Sequence, residues 1–190
     1  VGYGEIGRRT AERAKPFGMQ VHILRRRPEL AAGDPLVDRV YRGDELDSLV
    51  ASSDYLLVST PLTAETRGML GAPQLARMKS SAVLINLGRG PVVVETALVD
   101  ALRQEKIRGA VLDVFDQEPL PAGHPFYALD NVLLSPHCAD HTPTWMEEAM
   151  HLFLDTLELF RAGKPLTNIT DTGRGYGTIG PTDRPPAHCV

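Results

Sequence analysis

Three glycines near the start of the chain stand at the spacing G-x-G-x-x-G, in Gly2-Tyr3-Gly4-Glu5-Ile6-Gly7. Such spacing gives a tight turn, a close backbone approach to pyrophosphate and close packing of a helix on a strand, with phosphate at the helix N-terminus. Alone it is a weak sign of dinucleotide binding. The apolar run over residues 21–24 ends about 20 residues later, where an NAD site usually offers Asp or Glu to the adenosine ribose. Arg25, Arg26 and Arg27 stand there instead. A carboxylate would repel a 2′-phosphate, whereas guanidinium groups pair with one bidentately, so the pattern favours NADP over NAD. The competing reading is a solvated basic loop. A second cluster, His137, Cys138, Asp140 and His141, contains His-x-x-x-His, a spacing that can bind zinc on a helix. Pro136 and Pro143 interrupt helical geometry there, and no second ligand pair lies at zinc-site spacing, so we assign no metal.

These groups need a scaffold, and the sequence predicts an α/β one. Helical stretches at 6–15, 44–51, 72–78 and 95–104 alternate with short runs rich in Val, Ile and Leu at 20–25, 39–41, 55–60, 82–87, 109–114 and 132–135. Runs that are apolar throughout are those of strands covered on both faces, which predicts a Rossmann-like, doubly wound parallel sheet. A longer helix is expected over 144–162, half buried, with Trp145, Ala149, Leu152, Phe153, Leu157 and Phe160 at helical spacing. Gly163 and Pro165 end it. The expected organisation is a dinucleotide domain over 1–142, a helix and return segment over 143–170, and a disordered tail over 171–190, rich in Gly and Pro.

A dinucleotide turn needs a strand running into it, yet only Val1 precedes Gly2. In the order 3-2-1-4-5-6 that first strand is central, and a vacant central position leaves backbone groups of both neighbours unpaired, at about 1–3 kcal/mol each. The expectation is therefore a Rossmann-like sheet lacking its first strand, in a fragment of a longer protein. The net charge of −4 over 190 residues supplies no field for nucleic acid or an anionic membrane, which leaves small-molecule chemistry. No stretch approaches the roughly 20 apolar residues of a membrane span. Two cysteines, Cys138 and Cys189, are too few for a disulfide framework.

Beside the glycine turn stand Ile85-Asn86-Leu87-Gly88-Arg89-Gly90, the run from Leu112-Asp113 through Glu118-Pro119-Leu120-Pro121, and Asn131-Val132-Leu133-Leu134-Ser135-Pro136-His137. Together these segments resemble the D-isomer-specific 2-hydroxyacid dehydrogenases, a family that includes glyoxylate/hydroxypyruvate reductases and phosphoglycerate dehydrogenase. The resemblance runs from residue 1 to about 171. It implies hydride transfer between a nicotinamide cofactor, NADP or NAD, and a small 2-oxo or D-2-hydroxy acid.

The resemblance also implies roles. Arg89 would bind the substrate carboxylate and carbonyl oxygen, a task suited to a planar fork of donors. His137 would be the general acid in reduction and the base in oxidation, because imidazole changes charge near neutral pH. Glu118 would hold the other ring nitrogen and favour the protonated ring. The turn residues Gly2, Gly4, Glu5, Ile6 and Gly7, with Arg25 and Arg26, would bind the cofactor. Thr60-Pro61, Leu87, Asp113 and His137 would line it, Asp113 near the nicotinamide carboxamide. Ordinary alternatives stand beside these: solvated turn residues, a capping carboxylate, a satisfied histidine after a strand, and strand-end hydrogen bonding for Asp113. Asp54, Arg67 and His124 are assigned to turns and packing. Where the family usually places small residues after the histidine, this chain has Cys138-Ala139-Asp140-His141-Thr142, which bears on substrate preference. The substrate domain of the family lies mainly upstream of the turn, so the fragment alone is expected to be inactive. The parent would be an active cytoplasmic homodimer, and the alternative is a nucleotide-binding module or sensor without turnover.

Overall fold

The computed structural model describes residues 1–166, 169–171 and 176–177. Its elements are α1 (Glu5–Ala14), β1 (His22–Leu24), β2 (Arg39–Tyr41), α2 (Leu46–Ser52), β3 (Tyr55–Val58), α3 (Ala72–Leu75), β4 (Val83–Asn86), α4 (Glu95–Arg103), β5 (Gly109–Leu112), β6 (Val132–Leu134) and α5 (Trp145–Arg161). Each expected strand is present, trimmed by up to two residues at its ends. The expected helix over 72–78 is a single turn.

Strands β3-β4-β5-β6 form one parallel sheet in that order, and β1 pairs with β2, also parallel. Between the two ladders lies the backbone of Val1 and Gly2. Gly2 N–H donates to Leu24 O at 3.0 Å on one side, and Ser59 N–H donates to Val1 O at 2.9 Å on the other. That is the central position of the doubly wound order, and the strand ends flanking it carry the glycine turn and Ser59-Thr60.

One apolar core lies under both ladders. Leu24 and Tyr41 from the β1–β2 pair, Leu56 and Val58 from β3, Leu84 from β4, Ala110 and Leu112 from β5, and Leu98 and Leu102 from α4 all belong to it, each buried. A fully buried leucine or valine contributes roughly 1.5–3 kcal/mol by leaving water, so this core supplies the main drive for the fold. Because all strands run the same way, their carboxyl ends line one edge of the domain. The loops that leave that edge carry the groups discussed below.

The chain divides into two compact units, Val1–Ala139 and Asp140–Val190. In the second, α5 corrects one expectation. None of its residues is buried, where a half-buried face was predicted. Among the described residues, that unit supplies no second layer to cover the apolar side chains. Thr170–Asp171 pairs antiparallel with Tyr176–Gly177. The rest of the tail expected to be disordered lies outside the described residues. Among the described residues no helix is long and apolar enough to cross a membrane.

Candidate active site

The glycine turn is defined by what its residues lack. Gly2 has φ +87°, and a Cβ there would stand 2.9 Å from Thr60 N. A Cβ on Gly7 would stand 2.6 Å from Gly2 O, so the third glycine lets α1 close on the turn. At Gly4 a Cβ would meet nothing within 4 Å. Gly4 is also the N-cap of α1, and no side chain caps that end. Uncapped N–H groups beside the open space at Gly4 form a cradle that fits a pyrophosphate. Ser59 Oγ donates to Gly2 O at 3.0 Å, and a Cβ on Gly88 would lie 2.8 Å from Thr60 O. Thr60-Pro61 is thus held between the glycine turn and the loop after β4. Leu87 lies at that loop's start, its N–H donating to Val58 O at 3.0 Å. Glu5 and Ile6 are exposed in the first turn of α1.

Arg25, Arg26 and Arg27 leave the carboxyl end of β1. Arg25 is half-buried; the other two are exposed. Burial first, and then the like charge of Arg27, push the Arg25 guanidinium below its ordinary value, against a smaller opposing pull from Glu29. The Tyr3 hydroxyl donates to Asp34 Oδ2 at 3.0 Å, which links the turn to the segment beyond these arginines. Burial and Asp34 together raise that phenol to about 12.

On the other half of the sheet edge, the loop after β4 is fastened by a buried amide. Asn86 Oδ1 accepts Gly88 N–H at 3.1 Å, and its Nδ2 donates to Arg89 O at 3.2 Å. Arg89 is exposed, with Nη1 donating to Gly88 O at 2.7 Å. The loop after β5 carries Glu118, which precedes a cis peptide bond to Pro119. The loop after β6 carries His137. His137 Nδ1 lies 2.7 Å from Glu118 Oε2, while Glu118 Oε1 accepts Phe115 N–H at 3.0 Å. Burial alone would raise the Glu118 carboxyl. The bonds from His137 and Phe115, with the positive charges of His137 and Arg89, outweigh burial and hold it below its ordinary range.

His137 has φ +51°, a left-handed backbone that costs a non-glycine residue about 1–3 kcal/mol unless its surroundings impose it. Asp113 imposes it. This carboxylate, 3% exposed, accepts Ser135 Oγ and Cys138 N–H (2.9 Å) on Oδ1 and Ala139 N–H (3.1 Å) on Oδ2. It thereby holds the chain on both sides of the histidine. Burial would raise it, and the three donors lower it past that. Expected at the nicotinamide carboxamide, Asp113 has both oxygens engaged by the His137 loop. Beside the His137–Glu118 pair lies a cleft of about 580 Å³, with apolar walls from Phe115, Leu120, Tyr127 and Leu134.

The structure therefore brings Glu118 and His137 into contact and sets Arg89 near enough for its charge to act on Glu118. Asn86 and Ser135 also hold these loops, a role that no motif in the sequence assigns them. A polar residue closing an apolar strand run is the signal that marks them. Asp54 pairs with Lys79 at 2.8 Å on the surface. His141 stacks on Trp145, ring centroids 5.1 Å apart, and among the described residues no group of His, Cys, Asp and Glu converges to hold a metal ion.

Comparison with known families matches residues 1–139 to the D-isomer specific 2-hydroxyacid dehydrogenase, NAD binding domain. The chain belongs to this family. Glyoxylate/hydroxypyruvate reductase B of Yersinia pestis (strain Pestoides F) is 47% identical over 143 residues, which is 75% of this chain and 43% of that protein. Glyoxylate reductase of Aeropyrum pernix is 39% identical over 90% of this chain and 50% of its own length. Among solved structures, the NADPH-dependent glyoxylate/hydroxypyruvate reductase of Sinorhizobium meliloti, in complex with NADP and sulfate, superposes with a TM-score of 0.81 at 28% identity. That superposition covers 92% of this chain and 55% of that one. The chain thus spans about half the length of the curated relatives it matches. Its expected family and fold agree with these findings.

Proposed function

We propose that the protein is an NADP-preferring reductase of small 2-oxo acids, with glyoxylate and hydroxypyruvate as the leading substrates, and that residues 1–139 form its cofactor half. The observation that carries this reading is the His137–Glu118 pair at 2.7 Å, on a cleft at the carboxyl edge of the sheet. The names of the Yersinia, Aeropyrum and Sinorhizobium relatives support the substrate class. NADPH, when bound, supplies the hydride that the carbonyl carbon receives.

The chain's own residues do the rest. Glu118 accepts a hydrogen bond from the Nδ1–H of His137, fixing the ring and stabilising its positive form, so that Nε2 gives a proton to the carbonyl oxygen. The same nitrogen removes that proton in the reverse direction. Arg89 presents parallel N–H donors to the substrate carboxylate, and its charge steadies oxygen as it becomes an alkoxide. Gly2, Gly4 and Gly7 receive the pyrophosphate, Glu5 and Ile6 begin the helix it faces, and Thr60, Pro61 and Leu87 line its path. Arg25 and Arg26 pair with the 2′-phosphate. Asp113 works through the His137 loop. The resemblance further carries a cytoplasmic homodimer, which sedimentation of the intact protein tests; a monomer overturns it.

In the intact enzyme, His137→Ala should lower NADPH-dependent turnover of glyoxylate and hydroxypyruvate by about a hundredfold to ten-thousandfold. Turnover insensitive to that change overturns the assigned chemistry.

A further inference from the structure

A second carboxylate–imidazole pair stands on the same side of the sheet, and the chemistry above makes no use of it. Glu95 is the first residue of α4, just beyond the segment 88–94 that carries Arg89. Its Oε1 lies 3.0 Å from His124 Nε2, and its Oε2 accepts Asp116 N–H at 3.2 Å. His124 Nδ1 accepts Phe126 N–H at 3.3 Å, so the ring proton sits on Nε2 and is donated to Glu95. The two side chains are 15% and 20% exposed, and the imidazole packs on Phe126 with centroids 4.7 Å apart. Asp116 and Arg67 are the other charged groups facing this cluster. Burial and Glu95 raise the Asp116 carboxyl, against opposing pulls from Arg67 and His124.

The placement of these bonds along the chain gives them meaning. Asp116 and His124 flank Glu118, so one carboxylate grips the Glu118 segment at two points. The gripping residue follows the Arg89 segment directly. The two segments also touch at Gly90, where a Cβ would stand 2.0 Å from Phe115 C. That contact is nondirectional, and the hydrogen bonds of Glu95 to His124 and to Asp116 N–H add direction to it.

We propose that Glu95 and His124 are positioning residues for the reaction, a clasp that fixes the Arg89 segment against the Glu118 segment so that both act on one substrate. The inference rests on the roles given to Arg89, Glu118 and His137 above. Misplacement of this order between an anchoring cation and a proton donor is costly to catalysis, whereas the glycine turn is held by separate contacts.

The test is steady-state kinetics on the intact enzyme with glyoxylate and NADPH. His124→Asn keeps an acceptor for Phe126 N–H and loses the bond to Glu95. It should raise KM for the 2-oxo acid about tenfold, while KM for NADPH stays within about twofold and the thermal midpoint moves little. Glu95→Gln keeps an acceptor for Asp116 N–H and should give a smaller rise of the same kind, and it serves if His124→Asn does not fold. Both Michaelis constants moving together, or neither moving, overturns the clasp. Arg89→Ala separates the two levels of argument. If it leaves KM for glyoxylate unchanged, the reading of the site itself fails; if it raises that KM while the clasp variants are silent, only the clasp fails.

Discussion

The two halves of the sheet edge are built on opposite principles. The turn half, after Val1 and β1, works by leaving things out: glycines without Cβ atoms and a helix end without a side-chain cap. The loops after β4, β5 and β6 work by filling every valence. Asn86, Asp113, Glu118 and Glu95 each bond through both of their terminal side-chain atoms to a named partner. A cofactor that brings its own charge and hydrogen-bonding groups is met by a half with room for it. A proton transfer that tolerates little misalignment is held by a half with no slack. Substitutions should therefore fail differently on the two sides: by obstruction at the turn, by unpaired buried groups at the loops.

The largest effect belongs to the filled half. Asp113→Ala strands Ser135 Oγ and the N–H groups of Cys138 and Ala139 while removing what holds His137 at positive φ. The loss should be about 3 kcal/mol or more in denaturant unfolding, with turnover falling at least about a hundredfold. Wild-type stability in that variant would mean that water satisfies the loop and Asp113 is incidental to it. On the open half, Gly7→Ala drives a Cβ to 2.6 Å from Gly2 O. It should weaken NADPH binding by about tenfold or more, read by fluorescence titration, and destabilise the fold by about 1–3 kcal/mol. A turn that bound NADPH normally with that alanine would show that the third glycine is not there for packing.

A smaller change sharpens the comparison on the open side alone. Arg25→Asp with Arg26→Ser places a carboxylate where the 2′-phosphate would bind, and should shift the NADPH-to-NADH preference about tenfold or more toward NADH without moving KM for the 2-oxo acid. An unchanged preference would show that the arginines only face solvent.

Which half could be read from the sequence follows from the same contrast. Absence is local: three glycines within six residues and three adjacent arginines are visible in any window, and so are apolar runs long enough for strands. Arg89, Glu118 and His137 are legible one at a time, each lying within a family-like segment. Their partners are not. Asp113 meets Cys138 and Ala139 across 25 and 26 positions, and Glu95 meets His124 across 29. These pairings exist only once β4, β5 and β6 are in register, Asn86 opposite Leu112 and Leu112 opposite Leu134. Nothing local to His124 therefore distinguishes it in the sequence from a packing residue. The exposure of α5 escapes the sequence for a related reason: periodicity marks which face is apolar, but not whether another layer covers it.

The smallest effect is a pH dependence whose two parts have opposite signs. Asp113 and Glu118 have folded-state values below their ordinary 3.8 and 4.5. Each therefore contributes stability that is full above the ordinary value and lost as pH falls through the folded one, from about pH 5 downward. Asp116 is raised above 3.8 by burial and by Glu95, so its contribution is present in acid and declines as pH climbs through its folded value. In thermal unfolding between pH 7 and pH 3, Glu118→Gln should flatten the acid limb. Asp116→Asn should raise the midpoint slightly at pH 7 and leave it unchanged near pH 3. Because Glu118 and Asp116 are partly open to solvent, both shifts should be modest and should shrink further in high salt. If Asp116→Asn instead lowered the midpoint at pH 7, its carboxylate would be a favourable partner of Arg67.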